Sequence, residues 1–130
     1  MRVPVIKCDT VTLNNIVYPR KWVEKAFKKM KKDLPVYFGE AEHPEVIGCI
    51  SDFKFESDGT LVGDISITNK GVLDKLSEKV RVTWKCEGEL NFDNDHMVAS
   101  DLDGFKFGIT DKGESAFEFD LIPKQDLMES

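Results

Sequence analysis

Histidine is scarce in this chain, with only His43 and His96 among 130 residues. Imidazole is the side chain that exchanges protons near neutrality, so these two positions bound where histidine acid–base chemistry can occur. Cysteine is scarce as well. Cys8, Cys49 and Cys86 are odd in number and lack a CxxC spacing, which argues against a disulfide framework and a zinc site and leaves reduced thiols as the expected state. A long apolar run is missing too. The start, Met1-Arg2-Val3-Pro4-Val5-Ile6-Lys7, reads neither as a signal peptide nor as a membrane span, so the protein is expected to work in the cytosol where it is made. There is no net positive charge. At −6, with the acids spread along the chain, the balance argues against a binder of nucleic-acid phosphates. Repeats, low-complexity segments and linkers are also lacking, which leaves one domain over residues 1–130, and 130 residues suffice to close a single core.

What is present is an ordinary globular composition: 41% hydrophobic and 32% charged residues, with nine Phe. Val3 to Lys7 reads as a short strand or an N-terminal arm, and the Asn14-Asn15 pair as a loop or turn. Pro19 suits a first helical position, and Trp22, Val23, Ala26, Phe27 and Met30 recur at helical spacing, predicting a helix over about 20–32 that ends at Leu34-Pro35. Its other face carries Lys21, Lys25, Lys28, Lys29, Lys31 and Lys32. No aromatic or arginine cluster interleaves with these lysines, so the stripe reads as a solvated face whose last turns suit the helix dipole.

Val36 to Phe38 reads as a strand leading into Gly39-Glu40-Ala41-Glu42-His43-Pro44. Val46 to Phe55 and Thr60 to Thr68 form a hairpin around Asp58-Gly59. A second short helix is expected over 72–78. From Lys79 to Cys86 the chain alternates, with Val80, Val82, Trp84 and Cys86 on one face and Arg81, Thr83, Lys85 and Glu87 on the other. Glu89 to Phe92 and Met97 to Ala99 read as a further hairpin around an Asp-rich turn holding His96. Gly104 to Ile109 and Ser115 to Ile122 read as closing strands, and 124–130 as a fraying tail. The fold class is therefore α+β, a mostly antiparallel β-barrel or curved sheet of about seven to nine strands flanked by two helices.

The order of these features resembles the prohead core proteases of tailed bacteriophages, which share the fold of the herpesvirus assemblins. The residues that carry the resemblance are Thr12-Leu13-Asn14-Asn15-Ile16-Val17-Tyr18-Pro19-Arg20, the amphipathic helix, Gly39 to Pro44, the hairpin and the short helix, over roughly 10–90. In that family the histidine matching His43 is the general base, and the nucleophilic serine follows the short helix on a strand of the type Val-x-Val-Ser-Ser-Arg-Gly. The matching stretch here runs from Val80 to Gly88 and has no serine. Thr83 stands nearest to that position, Cys86 lies three residues on and on the other face, and Trp84-Lys85 replaces the Arg-Gly that would help stabilise an oxyanion. The family's second, orienting histidine is matched by His96 only at a shorter spacing. What the resemblance implies is a non-catalytic, phage-encoded protein that binds another protein, either phage scaffold or capsid or a host factor. Its place is then the host cytoplasm or the virion head, with no cofactor, no metal and no membrane, and self-association left open. The alternatives are an active capsid-maturation protease, with His43 as base and Thr83 or Cys86 as nucleophile, and an unrelated acidic module that inhibits a host protein.

Overall fold

Alternation drives Val3 and Val5 of β1 (Arg2–Lys7) into the core, with Ile6 joining them where a bulge shifts the register. The chain then turns at Asn15, whose φ of +66° is a conformation that asparagine tolerates better than most residues, into the short β2 (Ile16–Val17). Pro19 caps α1 (Arg20–Lys29) in the extended conformation that precedes a helix. Helix α1 starts where the sequence predicts but ends at Lys29, short of 32, because Met30 is already extended. Leu34 and Pro35 are the first residues of β3 (Leu34–Phe38) and not a mere stop signal, so the chain must leave the helix early enough to enter the sheet. The inner face of α1 buries Val23 and Ala26, and Phe27 lies 4.6 Å from the Phe53 ring and 4.9 Å from that of Phe105. The computed structural model describes residues 1–39, 45–113 and 116–129.

The hairpin of β4 (Val46–Phe55) and β5 (Thr60–Ile67) forms as expected, with Gly59 at φ +88° and the Thr60 N–H donating to Asp58 Oδ1 at 3.0 Å. In β5, Leu61, Ile65 and Ile67 are buried while Ser66 is exposed, the pattern of a half-buried strand. The second helix differs from the expectation of 72–78: it is a 3-10 turn over Lys70–Lys75. The turn buries Val72 and Leu73, and it ends where Leu76 turns extended and its N–H donates to Leu73 O, the tighter bond pattern of a 3-10 helix.

The largest departure lies beyond Lys79. The pieces read as separate strands are two continuous ones, β6 (Lys79–Asp93) and β7 (His96–Thr110), paired antiparallel along their length. Register shifts on either side of Glu87, together with positive φ at Asp101 and Gly104, absorb what reads in the sequence as turns. The closing strand expected over 115–122 shrinks to β8 (Ile122–Pro123), and Ser115 lies outside the described residues. Where the sequence reads as a fraying tail, residues 124–129 form α2 (Lys124–Glu129), with Leu127 fully buried and the Lys124 N–H donating to Glu78 O at 2.8 Å.

The strands make one curled half-barrel in the order β1-β5-β4-β3-β7-β6-β8, with β2 also against β7. Pairing is antiparallel except for β2 and β3, both parallel to β7. The expectation of an α+β fold around a curved, mostly antiparallel sheet holds. Its concave core gathers Val36, Ile47, Ile50, Leu61, Ile65, Phe107 and Ile109. Among the described residues no helix is long and apolar enough to cross a membrane.

Candidate functional site

Thr83 pairs with Gly108 on β7, and Gly108 pairs on its other side with Tyr37 of β3. Neighbours across a sheet point to the same face, so Tyr37 and Thr83 flank a residue that has no side chain, about 10 Å apart across two strand spacings. The sheet places the end of β3 at that level. The Gly39 N–H donates to Ile109 O at 2.7 Å and the Phe38 N–H to Glu45 O at 2.8 Å, so both flanks of the 40–44 stretch are tied down. His43 itself lies outside the described residues, with Glu40, Ala41, Glu42 and Pro44.

Cys86 is on the other face of β6, packed with Val82 and Trp84 against the core. Burial pushes its thiol up to about 11, so at neutral pH it is an un-ionised thiol and a weak nucleophile. Thr83 and Cys86 thus do not share a face. His96 is at the far end of the β6–β7 ribbon, where it pairs with Asp93 and its Nε2 lies 4.0 Å from Asp93 Oδ2. Thr83 is ten residues back along β6, on the order of 30 Å of strand at the usual rise per residue. The structure therefore does not bring His96 to Thr83.

Sequence reasoning missed a groove of about 390 Å³ along β6. Pairing between β6 and β8 ends at Val80, so from Arg81 to Lys85 the strand pairing found among the described residues is to β7 alone, and Cys86 sits at a register shift. The other edge of this stretch faces Leu13, Asn14, Tyr18 and Ala116, which complete the groove with Thr83 and Trp84. The Leu13 N–H donates to Ala116 O at 3.0 Å, joining the two segments of the far wall. Tyr18 stands edge-on to Trp84, and burial, with a smaller contribution from the Cys86 thiolate charge, pushes its phenol up to about 12. At the N-terminal end of the groove the Arg81 guanidinium donates to Lys112 O. The signal was the Tyr18-Pro19 pair, legible as a helix start but not as a wall, because the wall forms only when residues 13–18 fold over a strand some sixty-five residues away. Among the described residues, no group of three or more His, Cys, Asp or Glu is placed to hold a metal ion.

No protein-family model matches the chain, and no curated protein sequence matches it. Among solved structures it is similar to the bacteriophage T4 capsid assembly protease, gp21, with a TM-score of 0.57 over 85% of this chain and 78% of that one. The two share a fold. At 15% identity the likeness carries the capsid-protease architecture and no residue role. It does agree with what the order of features in the first ninety residues implies.

Proposed function

We propose that this chain is a phage-encoded, non-catalytic relative of the capsid-assembly proteases that binds another protein, capsid or scaffold or a host factor, through the groove along β6. The observation that carries this reading is the groove of about 390 Å³ along the β6 edge, where the strand pairings of Arg81 to Trp84 found among the described residues are to β7. Alternate residues of such an edge direct their N–H and C=O groups away from the neighbouring strand, which is the arrangement that accepts an extended peptide as an added strand. The groove walls, Leu13 and Tyr18 with Trp84, offer apolar contact for its side chains. Loss of catalysis is supported by a threonine where the family's strand has serine, and by a Cys86 thiol held un-ionised on the opposite face. The protein would act in the host cytoplasm or inside the assembling head.

The experiment is to titrate the purified chain with the scaffold and major capsid proteins encoded by the same genome, by calorimetry. Binding that falls at least tenfold in Leu13→Arg supports the groove; unchanged binding removes it. The same mixtures, followed by electrophoresis, test the second reading, an active protease with His43 as base and Thr83 or Cys86 as nucleophile. That reading draws on the end of β3, which reaches the sheet level of Thr83 two strands away. Cleavage by the wild type that disappears in His43→Ala and in Thr83→Ala or Cys86→Ala would establish it. The shared fold weighs against the third reading, in which the helix-and-sheet pattern is a coincidence and an acidic surface inhibits a host protein.

A further inference from the structure

The far half of the β6–β7 ribbon forms an arm that β2 borders at Met97 and Val98 and whose β6 strand is exposed from Glu87 to Asp93. Between Cys86 and Lys106 it holds six exposed carboxylates, Glu87, Glu89, Asp93, Asp95, Asp101 and Asp103, and neither lysine nor arginine. At its end an aromatic ring stands in solvent: Phe92 is 81% exposed, with Leu90 48% exposed on the same strand face. A ring so placed contributes nothing to the core, and strand tips are ordinarily polar. On another part of the molecule, α1 and β4 enclose an open groove of about 640 Å³. Its apolar lining is Phe27, Met30, Phe53 and Phe55, and its charged lining is Lys28, Lys31 and Lys32 with Asp52 and with Glu24, which pairs with Arg20, so lysine outnumbers carboxylate around it. These three lysines are exposed, and the lysine stripe of α1 continues through Lys21, Lys25 and Lys29.

We propose that these two surfaces fit each other between copies of this chain: the Phe92 end of one ribbon enters the Phe27/Met30/Phe53/Phe55 groove of a second copy, and its carboxylates meet the lysines around that groove. The two patches are complementary in charge and in apolar character. An aromatic anchor in an apolar pocket surrounded by opposite charge is the pattern in which a few residues carry most of the binding energy. The arm and the groove are different patches, so the contact is heterologous, each copy offering one donor and one acceptor surface. This self-association does not depend on whether the β6 edge takes a partner, since it uses the far half of the ribbon and the outer side of α1.

Sedimentation velocity of the full chain from micromolar to millimolar concentration tests it. Wild type is expected to associate as concentration rises, and less so at high salt, because exposed charge pairs are screened. Phe92→Ser, which keeps the groove, and Lys28→Glu with Lys31→Glu, which keeps the arm, should each weaken association at least tenfold. Mixing the two variants should restore a dimer, because one intact arm then meets one intact groove. All three positions are surface-exposed, so unchanged circular dichroism will show the fold intact. A wild type that stays monomeric throughout, association that does not weaken with salt, variants that associate like wild type, or a mixture that gains nothing would each overturn the proposal.

Discussion

Tyr18 meets Trp84 edge-on, their ring centroids 5.0 Å apart and their planes at 78°. The contact clamps the segment before α1 onto β6, and Trp84 extends the aromatic chain inward, with Phe105 at 5.6 Å and Phe117 at 6.3 Å. Because both rings are only half-buried, their attraction is separable from the core. Trp84→Ala should lower stability by about 3 kcal/mol and Tyr18→Ala by about 2 kcal/mol in urea titrations. The double variant should lose about 1 kcal/mol less than the two losses added, the coupling expected of an edge-to-face pair.

Raising the pH should destabilise the fold from about pH 9 upward. Burial, aided by the Asp9 charge, holds the Cys8 thiol up to about 12, and burial alone holds Cys86 up to about 11, both from an ordinary value of 9.0. Between those values the unfolded chain has lost protons that the folded chain keeps. Unfolding then releases protons, so stability falls as pH rises, and the contribution is complete only below pH 9. Melting temperatures measured from pH 8 to pH 11 should drop more steeply for wild type than for Cys8→Ala. Alkylation of Cys86 by iodoacetamide, followed by peptide mass spectrometry, should stay slow at pH 7 and accelerate through about pH 11.

Gly48 cannot accept a side chain without moving the sheet. A Cβ built there would lie 2.2 Å from the Ser66 carbonyl oxygen, and backbone cannot swing away as a side-chain tip can. Gly48→Ala should therefore cost about 2–3 kcal/mol, read from the denaturation midpoint.

Leu127 ties the C-terminal helix to the body. Its side chain is fully buried, and α2 packs on the 3-10 turn and β5. Leu127→Ala should cost about 3 kcal/mol, and removal of residues 124–130 at least as much. A neutral result from either would mean that α2 contributes nothing to the core.

These positions also mark where the sequence was readable. The β4–β5 hairpin was legible because Asp58-Gly59 and clean alternation agree, and the start of α1 was legible because Pro19 fixes it. The long ribbon was not. Glycine at 88 and 104 and the acidic run between them look like turns locally, and only pairing along the whole of β7 keeps them extended. Pro35 misled in the same way, reading as a helix stop when it occupies the second position of a strand. The tail was misread because Leu127 and Met128 are two apolar residues in a short polar segment, too few to show a helical period. At the site, the alternation on β6 correctly separated Thr83 from Cys86, yet it had no means of revealing the wall that Tyr18 and Ala116 build opposite.

Strand β7 has β3 on one side and β6 on the other at residues 107–109, and β2 beside it at 97–98. Its pairing with β3 joins positions about seventy residues apart, a closure that must be met before the contact returns any energy. Folding should therefore wait on β7: the local β4–β5 and β6–β7 hairpins can form early, and the half-barrel is completed only when β7 docks beside β3. The amides of Phe107, Gly108 and Ile109 should then exchange with deuterium only through global unfolding, while those near Asn94 exchange through fraying of the ribbon tip alone.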